Sequence, residues 1–87
     1  MANKEERNTG EFKFEIIAHI GILCTNPSGW TKELNIVKWN DAKPKMDIRE
    51  WDTEHEKMSR GTSLNLEEVI KLRDILQNTQ IEELFPI

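Results

Sequence analysis

Eighty-seven residues, 37% hydrophobic and 32% charged, suit one small globular domain with a modest core. No apolar run is long enough to span a bilayer, and the polar N-terminal MANKEERNTG lacks a signal-peptide core, so the expected location is the cytoplasm, with association with the nucleoid open to it. A single cysteine excludes a disulfide framework and a cysteine metal site, and a net charge of −4 excludes a uniformly basic surface.

Residues 1–11 are polar and charged, with Gly10 as a breaker, which predicts a flexible arm. From Phe12 the pattern changes. Phe12, Phe14 and Ile16 alternate with Lys13 and Glu15, the period of a half-buried strand. The continuation IIAHIGILC is apolar on both faces, which predicts cover on both sides. This first strand is expected over 12–25, with a bulge or close backbone approach at Gly21. His19 is expected to be an ordinary strand histidine, and Cys24 a small buried hydrophobe.

Asn26-Pro27-Ser28-Gly29 is a turn by composition and joins the first strand to a second, expected over 30–40, as a hairpin. One face of the second strand carries Trp30, Lys32, Leu34, Ile36 and Lys38. The other carries Thr31, Glu33, Asn35, Val37 and Trp39. Asn40 to Pro44 forms the next turn, and a proline is tolerated there because the ladder has not begun. The third strand, 45–52, directs Lys45, Asp47, Arg49 and Trp51 one way, while Met46, Ile48 and Glu50 point the other, with Met46 and Ile48 in the core. Thr53 to Lys57 reads as a loop, and a short fourth strand is expected over 58–64, with Arg60-Gly61 inside or beside it.

All three tryptophans fall between Trp30 and Trp51, interleaved with Lys32, Lys38, Lys43, Lys45 and Arg49. Aromatics among cations on a sheet can stack on unpaired bases and neutralise phosphates, which suits single-stranded nucleic acid. The charge distribution allows this. Residues 30–60 carry seven basic and seven acidic groups, whereas 61–87 carry two basic and five acidic. Alternation can then put lysines on one face and carboxylates on the other. The candidate nucleic-acid contacts are Trp30, Lys32, Lys38, Trp39, Lys43, Lys45, Arg49, Trp51 and Arg60.

Asn65 is a good helix N-cap, with Glu68 three residues on to complete a capping box, which predicts a helix from Leu66 to about 78. Its apolar residues Leu66, Val69, Ile70, Leu72, Ile75 and Leu76 cover an arc of roughly 220°, far wider than one sheet face buries. The excess is expected to pack against a second copy, with Val69, Leu72, Ile75 and Leu76 at a homodimer interface. The fold class is therefore α+β, a four-stranded antiparallel sheet followed by one helix. The domain occupies 12–78 and an acidic, apolar tail occupies 79–87. That tail ends in Glu-Glu-Leu-Phe-Pro-Ile and is expected to pack onto the dimer, with recruitment of a protein partner as the alternative.

No nucleophile–base constellation, metal-ligand spacing or glycine-rich phosphate loop is present, so neither an enzyme nor a cofactor is expected. The competing reading is a non-enzymatic protein-interaction domain whose tryptophans are core.

The residues Asp47-Ile48-Arg49-Glu50-Trp51, a charged loop, Arg60-Gly61 and then Ser63-Leu64-Asn65 opening a helix resemble the positive cofactor four (p15) transcriptional coactivators. With FEII, HIG, GWTKELN, WN and HEKM, the chain is similar to the small bacterial YdbC branch of that group over about 12–76. The resemblance implies a homodimer of curved four-stranded sheets with the helices at the interface, and sequence-nonspecific binding of single-stranded DNA. It puts Arg49 on the family's DNA-contacting strand arginine, Lys38 on a basic position and Lys43 on the turn lysine. Trp51 lies near the stacking aromatic, one residue short of the eukaryotic spacing, and Trp39 lies one position from the eukaryotic turn aromatic. Asp41 stands where eukaryotic members carry a lysine. The serine- and lysine-rich regulatory arm is missing, so coactivation of a eukaryotic polymerase is not implied.

Overall fold

The computed structural model describes residues 13–85. The expected arm over 1–11, Phe12 and the last two residues lie outside that range. Strands β1 (Phe14–Thr25), β2 (Thr31–Trp39), β3 (Lys45–Trp51) and β4 (Thr62–Leu64) are followed by helix α1 (Leu66–Gln77) and a 3-10 turn, Ile81–Leu84. The strands form one antiparallel sheet in the order β1-β2-β3-β4, which is the expected α+β fold.

Local chemistry sets the boundaries. In the first hairpin, Gly29 takes φ +99°, and its N–H donates to the Asn26 carbonyl, while Asn26 N–H donates to the Trp30 carbonyl. Only glycine takes such a φ without steric cost. The second hairpin uses Asn40 at φ +53°, the non-glycine type that best tolerates the left-handed region. Asn40 also clamps the start of the sheet: its N–H donates to the Lys13 carbonyl, and its Oδ1 accepts from Lys13 N–H. The capping box at the start of α1 is formed in both directions, Glu68 N–H to Asn65 Oδ1 and Asn65 N–H to Glu68 Oε1.

The sheet is strongly curled. Register places Trp39 opposite Phe14 at one end of β2 and Trp51 opposite Thr31 at the other. A flat strand of this length would separate those ends by well over 20 Å. Yet the Phe14 ring lies 6.1 Å from Trp39 and 5.4 Å from Trp51. Three irregularities in β1, at Ile16/Ala18, His19/Gly21 and Ile22/Cys24, supply the bend, since each extra residue increases local twist. The inner face of the curl holds the fully enclosed side chains: Glu33, Asn35 and Val37 from β2, and Asp47 and Trp51 from β3. The outer face carries Leu34, Ile36, Met46, Ile48 and Leu64, all half-buried, and Val69 of α1 lies against them.

Three expectations are corrected. The fourth strand is Thr62–Leu64, not 58–64; upstream only Met58 makes an isolated bridge, to Trp51. Ser59 N–H still donates to the Glu50 carbonyl, but side chains replace the return bond of the ladder: Glu50 N–H donates to the Ser59 hydroxyl, and the Ser59 carbonyl accepts from Arg49 Nη1. Secondly, β1 is not covered on both sides: Ile17, Ile20, Ile22 and Leu23 are each about half exposed. Thirdly, Cys24 is exposed, near the end of that uncovered strand, with its thiol 3.7 Å from Asn26 Oδ1. His19 is the half-exposed strand histidine expected, its Nδ1 2.7 Å from Asn35 Oδ1.

Candidate nucleic-acid interface

The expected contact residues separate into three places. Trp39 ends β2, and Lys43 and Lys45 follow it across the turn into β3. Both lysines are exposed, while Trp39 and the adjacent Lys38 are half-buried. Because side chains alternate, Trp39 and Lys45 lie on the inner-face set, and Lys38 belongs to the outer-face set, opposite Glu15 of β1. At the far end of β2 stand Trp30, half-buried beside the first turn, and Lys32, exposed and opposite Glu50. Arg60 is exposed on the segment between Met58 and β4.

Trp51 is in none of these places. It is 0% exposed, against Phe14 on one side and stacked on the His55 ring at 5.7 Å and 28°. A side chain so enclosed cannot stack on a base without opening the core, so its expected role in binding is replaced by a core role. The cause is the curl, which turns the inner ends of β1 and β3 onto each other.

Arg49 is also not the free cation expected. It is 14% exposed and engages the fully buried Asp47 with two parallel bonds, Nε to Oδ1 at 2.6 Å and Nη2 to Oδ2 at 2.7 Å. Its Nη1 donates to the Ser59 carbonyl at 3.3 Å and approaches Met58 Sδ at 3.7 Å. A guanidinium has five N–H donors, so little of its capacity is left for a phosphate. Its Cζ lies 4.5 Å from the centroid of the Trp39 ring, a cation–π distance. Gly61 permits this arrangement: a Cβ there would collide with Arg49 Cβ and with the Ile48 carbonyl.

Ser63 was given no contact role by the sequence. It sits opposite Asp47, accepts a hydrogen bond from Trp39 Nε1 at 3.1 Å and donates one to Asp47 Oδ2 at 2.6 Å. Alternation puts Asp47 and Arg49 on one face of β3, but nothing local announces a bond joining Trp39 and Ser63 across a third strand.

Further along the inner face, Ile16, His19, Ile22, Glu33, Asn35 and His55 line a groove of about 250 Å³. Glu33 accepts from Thr31 Oγ1, Asn35 Nδ2 and His55 Nε2. Among the described residues, no group of three or more His, Cys, Asp or Glu is placed to hold a metal ion, and no helix is long and apolar enough to cross a membrane.

On the outer side, Val69, Leu72 and Leu76 line an apolar groove of about 340 Å³ with Leu23, Leu34 and Ile48. Ile75 is among the exposed large hydrophobics, as are Leu72 and Leu76. Three of the four residues expected between helices therefore also face this chain's own sheet.

Residues 26–75 match the family model described as Transcriptional Coactivator p15 (PC4). The matched span runs from the first turn into α1 and includes every candidate contact from Trp30 to Arg60. An uncharacterized protein of Treponema pallidum (strain Nichols) is 35% identical over 72 residues, which cover 83% of this chain and 85% of that one. At the level of the family, the match to the p15 (PC4) model supports nucleic-acid binding. By the extent of both matches, the chain belongs to the p15 (PC4) transcriptional coactivator family.

Proposed function

We propose that this protein binds single-stranded DNA with little base preference, at the end of the sheet where β2 turns into β3. The observation that carries the reading is Trp39, half-buried beside the exposed Lys43 and Lys45, with its ring braced from one side by Arg49. An aromatic held at a cationic turn offers what an unpaired nucleotide needs, a flat apolar partner for the base and positive charge for the phosphate. A duplex hides its base faces, so it should bind far more weakly. Lys32 and Lys38 belong to the outer-face set of β2, and Trp30 and Arg60 lie outside the β2–β3 turn, so these four candidates are secondary to the Trp39 site. Arg49 and Trp51 support it from within.

A homodimer accompanies this reading. Ile17, Ile20 and Leu23 on β1 and Leu72, Ile75 and Leu76 on α1 are large apolar side chains left open by one chain. An uncovered apolar surface of this kind marks an association face.

The test is a fluorescence-anisotropy titration of a labelled thymine oligonucleotide and of a duplex of equal length at two salt concentrations. Tight binding of the single strand that weakens with salt, and much weaker binding of the duplex, is expected. No binding at about 50 mM salt, where phosphate contacts are least screened, would leave a protein-interaction domain as the better reading.

A further inference from the structure

We propose that Ser63 and Asp47 form a positioning relay that fixes the Trp39 ring before nucleic acid arrives. The inference rests on the single-strand reading above and deepens it, by naming what orients its stacking residue. An indole N–H can only donate a hydrogen bond, and an ionised carboxylate can only accept one. Ser63 Oγ lies 3.1 Å from Trp39 Nε1 and 2.6 Å from Asp47 Oδ2. The serine proton is therefore assigned without ambiguity: the hydroxyl accepts from the indole and donates to the carboxylate, and neither link can reverse.

Asp47 is fully buried, and Arg49 grips both its oxygens. The same guanidinium lies over the Trp39 ring. The ring is thus tied at its edge through Ser63 and on one face through Arg49, and both ties end on one buried carboxylate. A side chain ordered in this way gives up its rotamer freedom on folding, so less is lost when a base stacks on it. Ser63, Asp47 and Arg49 act through Trp39 and are positioning residues. The arrangement also gives the short β4 a purpose, since Ser63 is its middle residue and faces Asp47 in register.

The test uses the full chain, a labelled thymine oligonucleotide and protein carrying 15N-labelled tryptophan. Ser63→Ala is expected to bind about fivefold more weakly, the effect of one net hydrogen bond, with an unchanged salt slope. The Trp39 indole N–H is expected to lose its protection from solvent exchange. Ser63→Thr keeps the hydroxyl and is expected to restore both. A folded Ser63→Ala protein that binds like a binding-competent wild type overturns the relay and leaves the single-strand reading intact; a wild type that does not bind overturns both. Should Ser63→Ala fail to fold, the wild type decides. Exchange of the Trp39 indole N–H that is already slow in the free protein and slows little further on adding the oligonucleotide supports the relay. Exchange as fast as that of an open indole overturns it.

Discussion

His55 Nε2 lies 2.9 Å from Oε2 and 3.0 Å from Oε1 of Glu33, a carboxylate only 2% exposed on the inner face of the sheet. His55 reaches it from the loop between β3 and β4, with its backbone at φ +59°, a conformation disfavoured for a residue with a Cβ. The loop is held in that shape by Asp52, whose Oδ1 accepts from the N–H groups of Glu56 and Lys57, while His55 N–H donates to the Asp52 carbonyl. Through this contact Glu33 ties a loop residue to β2, and the His55 ring closes over Trp51.

The first prediction concerns acid stability. Burial by itself raises the Glu33 carboxyl, but hydrogen bonds from Thr31, Asn35 and His55, with the charge of His55, outweigh it and bring the group below its ordinary 4.5. A folded-state value below the unfolded one gives stability that is fully present above about pH 4.5 and is lost as the pH falls through the folded value. Glu33→Gln removes the charge and turns an amide donor toward other donors. At pH 7 it should cost about 1–3 kcal/mol, the penalty for unpaired buried groups. The gap between wild type and variant should narrow below pH 4.5. Urea melts of both proteins at pH 7 and pH 4 check this; a gap that widens in acid would contradict the assignment.

The second prediction separates phosphate contacts from internal braces. Removing Arg49 leaves Asp47 charged, buried and unpaired, a loss of about 3–5 kcal/mol in comparable pairs. Arg49→Ala should therefore lower the melting temperature markedly. Arg49→Lys should rescue little of it, because an ammonium cannot reproduce the two parallel bonds. Lys43→Ala should behave in the opposite way. Its side chain is exposed, so the melt should not change, while the salt dependence of single-strand binding should flatten by about 0.7 of a unit of slope, the value for one phosphate contact. Thermal melts paired with titrations over a salt series decide it. A stable Arg49→Ala protein with a flattened salt slope would return Arg49 to the phosphate-binding set.

The order of strands, the helix and its capping box were legible in the sequence because each rests on local rules: alternation, turn composition and a cap three residues from its partner. The two faces of β2 and β3 were also assigned correctly. What those faces do was not legible. Alternation says that Lys45, Asp47, Arg49 and Trp51 share a side, but the curl decides whether that side is solvent or interior, and the curl comes from bulges in β1 that no residue pattern announced beyond Gly21. Hence Trp51 moved from the surface to the core, and Arg49 from phosphate ligand to internal brace. The β1 residues erred in the other direction. An apolar run on both faces means that something must cover it, yet a single chain supplies no such cover for Ile17, Ile20 or Leu23.

That missing cover is the ground for the last prediction, that the protein is a homodimer through α1 and β1. Ile75 decides it best. It is 54% exposed and does not line the groove between α1 and the sheet, unlike Val69, Leu72 and Leu76. A charge at 75 therefore leaves the chain's own helix–sheet packing untouched, but would enter a seam between two copies. Ile75→Glu should yield a folded monomer, with its circular-dichroism spectrum retained and any loss of melting temperature reduced by dilution of the wild type, whose stability depends on protomer concentration. Leu72→Glu lacks this selectivity, because Leu72 lines the intramolecular groove as well and its replacement should unfold the chain. Sedimentation velocity on both variants and the wild type distinguishes the cases. A wild type that sediments as a monomer at tens of micromolar, a range in which an obligate dimer stays assembled, removes the dimer and leaves the apolar face of β1 and α1 for a different protein partner.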